Sequence, residues 1–243
     1  TSLDDKIELN LQMNQTLEAM AQAIFKEWFI DFRFPGFDGQ LVDGLPRGWR
    51  RGKLGDVIDV KGGTTPSTTK EEYWNGKYYW TTPKDLSSIK SPVLIDTERK
   101  ITELGIKQIN SGVLPIGTLL LSSRAPIGYL AISQIPVSIN QGYIAIQGKE
   151  VSNLFMLFWL KQNMESVKSK ANGSTFQEIS KTNFKQIDVI IPSSLILKKF
   201  DIKIGPIFQK IVDNVYNNLS LTQTRDTLLP KLMSGDIEVT KKL

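Results

Sequence analysis

Leu3, Ile7, Asn10, Asn14, Leu17, Ala21, Ile24 and Trp28 follow one another at alternating steps of four and three residues. That spacing is the heptad seam of a helix that packs against a second helix, and it predicts one long helix over residues 3–33. At ~1.5 Å per residue such a helix spans about 45 Å. The segment "FPGFDGQLVDGLPRGW" is dense in Pro and Gly and ends it. From Lys53 to Pro192 the pattern changes to short β-rich runs separated by turns. "GDVIDVK", "KYYWTT", "GTLLLSS", "GYLAIS", "YIAIQ" and "IDVIIP" read as strands. One helix, "SNLFMLFWLKQNMESVKS", interrupts them, with Ser152 or Asn153 as its N-cap. From about Ser194 a second long seam runs through Phe200, Ile204, Ile207, Ile211, Asn214, Asn218, Leu221, Arg225 and Leu228. Gly205-Pro206 is expected to kink that helix and Pro230 to end it.

The two seams echo each other. "IELNLQMNQTL" matches "IVDNVYNNLSL" at an isoleucine, two asparagines and a leucine. One helix enters the β-rich region and the other leaves it, so an intrachain pair must be antiparallel. In the register that sets amide against amide, Asn14 faces Asn214 and Asn10 faces Asn218. The same register sets Trp28 on Phe200, Ile24 on Ile204, Ala21 on Ile207, Leu17 on Ile211, Ile7 on Leu221 and Leu3 on Arg225. Each amide then has a partner, which removes the cost of a buried unpaired polar group. A slip of one heptad sets amides against leucine or isoleucine, so the amides fix register. The alternative is two unrelated amphipathic helices on a common core. The expected fold class is α+β: a mixed β-rich domain on an antiparallel two-helix coiled-coil stalk. The divisions are helix 1 over 1–34, the domain over 35–192 and helix 2 over 193–243.

Composition narrows the chemistry. The chain has 243 residues, neither histidine nor cysteine, and a net charge of +5. Histidine-based triads, histidine or cysteine metal sites and disulfides are therefore excluded. The longest apolar run, "LFMLFWL", is far below the ~18 residues that cross a bilayer. Asp4, Asp5 and Glu8 give the first residues the wrong charge for a signal peptide, so a cytoplasmic location is expected. Residues 1–46 are acidic, whereas residues 47–100 are basic. A basic middle beside an acidic arm points to a polyanion partner; a normally solvated surface is the other reading.

Neither a dinucleotide fingerprint nor a P-loop occurs, and the target-base motif of DNA adenine methyltransferases is missing. Asp85 followed by Glu98-Arg99-Lys100 has the outline of a Mg²⁺ nuclease site, but the pattern is short and common, and exposed hairpin charges are the better reading. A nucleic-acid interface explains more of the chain. Four loop groups mix hydroxyl, amide, aromatic and basic residues. The first holds Thr64, Thr65, Ser67 and Lys70, with Tyr79 and Lys84 in the neighbouring "YYWTTPKD". The second surrounds Arg124, and the third is "SINQG" with Asn140 and Gln141. The fourth is "ANGSTFQEIS" with Asn172, Ser174, Thr175, Phe176 and Gln177. Arg pairs bidentately with guanine and Asn or Gln with adenine, while Ser, Thr and Lys suit phosphates. A turn-bracing role for Asn140-Gln141 and Asn172-Gly173 competes with this. Trp74 and Trp80 read as core residues.

Taken in order, these segments resemble the specificity (S) subunit of type I restriction–modification systems. "LDDKIELNLQMNQTLEAMAQAIFKEWFIDF" is similar to that family's conserved spacer helix. "LPRGWRRGKLGDVIDVKGGTTPS", "YWNGKYYWTTPKDL", "LPIGTLLLSSRAPIGYLAI", "SINQGYIAI" and "NGSTFQEISKTNFKQIDVIIP" resemble its target-recognition domain, and "RDTLLPKLMSGDI" its second conserved helix. The resemblance implies a non-catalytic chain that reads one half of a bipartite site on double-stranded DNA through the major groove. It also implies helices that dock modification methyltransferase subunits, which methylate adenine with S-adenosylmethionine, and a restriction subunit that joins them. This chain itself would hold neither cofactor nor metal. Complete members carry two recognition domains, so this chain is expected to be a half-length subunit, able to form a homodimer, or a fragment. The rivals are a Mg²⁺-dependent nuclease using Asp85, Glu98 and Lys100, and a coiled-coil scaffold that does not bind DNA.

Overall fold

The computed structural model describes residues 2–173 and 177–234. In chain order the elements are α1 (Ser2–Phe29), β1 (Leu41–Val42), β2 (Leu45–Pro46), β3 (Arg50–Lys53), α2 (Leu54–Val57), β4 (Ile58–Lys61), β5 (Trp74–Thr81), α3 (Pro83–Ser88), β6 (Val93–Leu94), β7 (Arg99–Ile101), α4 (Glu103–Ile106), β8 (Leu119–Ser122), β9 (Leu130–Ser133), β10 (Val137–Ile139), β11 (Tyr143–Gly148), α5 (Asn153–Ser169), α6 (Lys181–Lys185), β12 (Asp188–Ile191) and α7 (Ser194–Met233). All six strand segments expected from the sequence contain a strand. In "GDVIDVK" the residues up to Val57 belong to the helical turn α2, and β4 starts at Ile58.

A five-stranded sheet in the order β4-β11-β8-β9-β6 is the centre of the domain, antiparallel except for β6 beside β9. Its middle strand, β8, is buried throughout. The strand period of two divides its residues between two cores. Leu119 and Leu121 join Ile132, Ile144 and Ile146 in the main core, whereas Leu120 joins Ala131, Tyr143 and Ala145 in a second one. Coverage of both faces makes "LLL" a continuous apolar run rather than an alternating one. Burial pushes the Tyr143 phenol far above its ordinary pKa, and its hydroxyl donates to the Thr82 carbonyl at 2.5 Å. A three-stranded sheet, β10-β5-β7, carries Lys77, Arg99 and Lys100.

The long helices pair antiparallel within the chain, in the expected register. Asn214 Nδ2 donates to Asn14 Oδ1 at 2.8 Å, and Asn10 Nδ2 to Asn218 Oδ1 at 2.7 Å. Asn10 also reaches Asn217 Oδ1 at 3.0 Å, and Trp28 meets Phe200 with ring centroids 6.0 Å apart. The seam is wider than a two-helix stripe. Ile24 and Ile207 are half-buried, while Phe25, Phe29 and Phe208 are buried beside them. The reason is α5. Its Phe155 packs on Phe25 and Phe29, and its Phe158 on Phe200, so this end of the pair is a three-helix junction with a broad apolar face.

Two further expectations are corrected. Helix 1 stops at Phe29, not at residue 33, because Phe32 adopts a left-handed φ of 55° that turns the chain out of the helix. Pro230 does not end helix 2: α7 runs through both Pro206 and Pro230 to Met233. Both prolines are exposed, so water can solvate the carbonyls that lose their helical bond. Arg225, expected opposite Leu3, pairs with the adjacent Asp4 at 2.9 Å. The stalk shares its core with the domain. Ala21, Phe25, Trp28, Phe200 and Ile204 belong to the same core as Leu54, Leu119 and Phe184, and Asn14 Nδ2 donates to Ser91 Oγ of the β-rich domain at 3.1 Å.

Candidate nucleic-acid interface

The four polar loop groups lie far apart in sequence and close into one ring. Residues 62–69 leave β4 and are pinned from below by two tryptophans. Trp80 Nε1 donates to the Thr64 carbonyl at 3.4 Å, and Trp74 Nε1 to that of Ser67 at 3.0 Å. Both indoles are buried edge to face with centroids 5.0 Å apart, and the Arg99 guanidinium stacks 3.5 Å from the Trp74 centroid. They are core residues, as expected, and they also hold the first loop. Gly63 lets that loop touch the third: a Cβ there would lie 1.8 Å from the Ile139 carbonyl oxygen. Thr65 Oγ1 then donates to Gln141 Oε1 at 2.6 Å.

The remaining contacts complete the ring. Asn140 N–H donates to the Thr81 carbonyl at 3.1 Å, and its Oδ1 accepts from Gly142 N–H at 2.9 Å. The Gly142 carbonyl accepts from Ser123 N–H at 2.8 Å, joining the third loop to the second. The Ser123 carbonyl accepts from Ile179 N–H at 3.0 Å, joining the second to the fourth. Beside it, Arg124 and Glu178 form an ion pair at 3.7 Å. Asn172 exchanges two backbone bonds with Glu178, and Gly173 makes the expected turn with a φ of 92°. Lys181 opens α6 after an N-cap at Ser180 and returns to the first loop, its Nζ 3.1 Å from where a Gly62 Cβ would sit.

The other candidates divide into bound and open groups. Thr64 Oγ1 donates to the Gln108 carbonyl and accepts from Asn110 N–H, so it braces the loop. Ser67 bonds Thr69, and Tyr79 is half-buried on the second core beneath the Lys100 ammonium. Lys70 donates to the Tyr73 hydroxyl at 3.3 Å, which raises its pKa, and Lys84 pairs with Glu98 at 2.8 Å, with the same effect. Gln177 is exposed; Ser174, Thr175 and Phe176 lie outside the described residues. Glu178, Lys181 and Asn183 were not singled out by sequence reasoning. The only signal for Glu178 is its place inside "ANGSTFQEIS".

The nuclease-like trio has different occupations. Asp85 caps α3: its Oδ2 accepts from Thr82 N–H at 2.7 Å, and its Oδ1 from Glu98 N–H at 2.8 Å. Glu98 is engaged by Lys84, and Lys100 lies over Tyr79. Among the described residues no group of three or more acidic side chains is placed to hold a metal ion, and no helix is long and apolar enough to cross a membrane.

Comparison with known proteins gives these features a context. Residues 46–227 match the family model described as the type I restriction modification DNA specificity domain. The chain is 41% identical over 152 residues to the type I restriction enzyme MjaIX specificity subunit of Methanocaldococcus jannaschii, covering 61% of this chain and 35% of that protein. It is 29% identical to the HindI specificity subunit of Haemophilus influenzae, covering 98% of this chain and 65% of that one. The chain thus spans less than two thirds of these relatives. Among solved structures, the type I S subunit from M. genitalium aligns with a TM-score of 0.63 at 20% identity, over 95% of this chain and 57% of that one. The HsdS subunit from Thermoanaerobacter tengcongensis aligns with a TM-score of 0.54 over 97% and 55%. The family model covers most of the chain and its matched span contains the whole ring of loops, so the chain belongs to the type I restriction modification DNA specificity domain family.

Proposed function

We propose that this chain is the DNA-addressing part of a type I restriction–modification system, a recognition module rather than an enzyme. The observation that carries the reading is the closed ring of four loops. It brings Thr65, Arg124, Asn140, Gln141, Asn172 and Lys181 into adjoining loops, although the sequence scatters them over more than a hundred positions. Side chains on these loops reach base edges in the major groove of one half of a split site, and the lysines hold phosphates. The helices dock adenine methyltransferase subunits, which bring S-adenosylmethionine, and through them the restriction subunit. Exposed apolar residues along them, among them Leu9, Met20, Tyr216 and Leu219, suit such docking. A second recognition surface comes either from more chain or from a second copy, whose two-fold symmetry would demand mirror-related half-sites.

The test is to express the chain with a cognate methyltransferase subunit and map modified adenines by sequencing. A single recurrent motif is expected, altered when Arg124, Asn140 and Gln141 are replaced together. A methylated motif that survives that triple replacement would refute the reading. Mirror-related half-sites are the expected signature of a dimer.

A further inference from the structure

One group on the proposed reading face does not suit phosphates. Glu178 is a half-exposed carboxylate, and a negative charge beside the DNA backbone repels it. Its position is nevertheless tightly specified. Its N–H and carbonyl both bond Asn172, at 3.0 and 2.9 Å, and the next residue bonds Ser123. The side chain lies 3.7 Å from the Arg124 guanidinium, close enough to attract and too far for a hydrogen bond. Both therefore keep their hydrogen-bonding atoms for a ligand: donors on Arg124, acceptors on Glu178.

The neighbouring amides sharpen the contrast. Asn140 Oδ1 accepts from a backbone N–H, which fixes the amide orientation and leaves Nδ2 outward. Asn183 Nδ2 is held by the Lys170 carbonyl at 3.2 Å and reaches Asn172 Oδ1 at 3.4 Å, so Asn172 likewise presents Nδ2. The groups these neighbours offer are donors, and the carboxylate is set among them.

We propose that Arg124 and Glu178 read a single G·C base pair in the major groove. The guanidinium donates to guanine N7 and O6, and the carboxylate accepts from the cytosine N4 amine, which sits beside O6 on that edge. An A·T pair is rejected twice. Its adenine amine confronts the guanidinium with another donor, and thymine O4 confronts the carboxylate with another acceptor. This assignment rests on the DNA-recognition reading above and names Glu178 as a specificity-determining residue.

The experiment selects a randomised duplex library on the purified full chain and sequences the bound fraction. The wild-type chain is expected to enrich a motif containing a G·C pair. Glu178→Ala and Arg124→Lys are each expected to reduce the preference at that same pair by about tenfold, leaving other positions unchanged. Lysine keeps the charge, so a phosphate contact by Arg124 would survive that replacement. Glu178→Gln keeps the length of the side chain and relaxes the same pair if the alanine variant fails to fold. If the Glu178 variants change affinity for every sequence equally, or if the two sites relax different positions, the inference is overturned alone. If the wild-type chain enriches no motif either alone or with a cognate methyltransferase subunit, the DNA-recognition reading falls and takes this inference with it.

Discussion

Asparagine does opposite work in two regions of this molecule. On the helix pair, Asn10, Asn14 and Asn214 are 2%, 1% and 3% exposed, and amide meets amide. On the loop ring, Asn140 and Asn172 are accessible, and each engages its own fold through oxygen while its nitrogen faces out. A buried amide must find its donor and acceptor inside the protein or cost about 1–3 kcal/mol. It therefore selects one helix register among several. An exposed amide carries no such penalty, so a single internal bond suffices to aim it, and the rest of its capacity is free for a ligand. The same chemistry thus encodes register where water is excluded and, where it is not, leaves hydrogen-bonding capacity for the recognition proposed above.

The sharpest way to break this contrast is to ask whether the two regions fold separately. Phe25 is fully buried between Phe29, Phe155 and Phe200, which joins helix pair and domain in one core. Phe25→Ala is expected to cost about 3–5 kcal/mol and to destabilise both parts in one transition. Two separate transitions in denaturant, with only one shifted, would show two folding units.

Next in size is the amide pair itself. Asn14→Leu leaves Asn214 buried without its partner and is expected to lose about 1–3 kcal/mol in chemical denaturation. The double replacement of Asn14 and Asn214 by leucine restores the part of that loss that comes from an unpaired Asn214, while Ser91 Oγ, which also bonds Asn14, still lacks its donor. If single and double variants are equally destabilised, the amides are not acting as a pair.

The exposed region should respond in binding rather than in stability. Gln141→Ala is expected to move unfolding free energy by no more than about 0.5 kcal/mol. It should lower affinity for the selected DNA motif by about 1–3 kcal/mol. Lys181→Ala is expected to weaken binding to all duplexes alike and to reduce the slope of log K against log salt by about one. A sequence-dependent loss at Lys181 would place that residue on a base instead.

The smallest effect concerns acid. Lys53 donates to Asp188 at 2.6 Å across the β3–β12 pair and holds its carboxyl below the usual aspartate range. A carboxylate with a depressed folded pKa stabilises the protein above its unfolded pKa, and that contribution disappears as pH falls through the folded value. Asp188→Asn should therefore flatten the acid side of the stability profile slightly and leave stability below that window unchanged. Both groups are well exposed, so salt is expected to erase the difference.

The helix pair was legible because its information is periodic and local. A heptad seam with two amides on each strand admits one good antiparallel alignment, and Asn14–Asn214 and Asn10–Asn218 realise it. The strand cores were legible for a similar reason, since runs such as "GTLLLSS" and "YIAIQ" have few other ways to be buried. Less visible were Phe25 and Phe29, which are covered by Phe155 of a third helix arriving from far along the chain. Pro230 misled because proline's penalty depends on whether the carbonyl it strands can reach water.

By itself, then, the order of residues determined the main elements, the register of the helices and which loops are rich in polar side chains. Those are consequences of spacing, and spacing is written along the chain. Tertiary structure alone decided which loops become neighbours, that Gly63 admits Ile139, and that Glu178 stands beside Arg124. It also assigned Asp85 and Glu98 to holding a turn and pairing a lysine. Such outcomes depend on how crossing connections bring distant backbone together, and a one-dimensional pattern carries no measure of those distances.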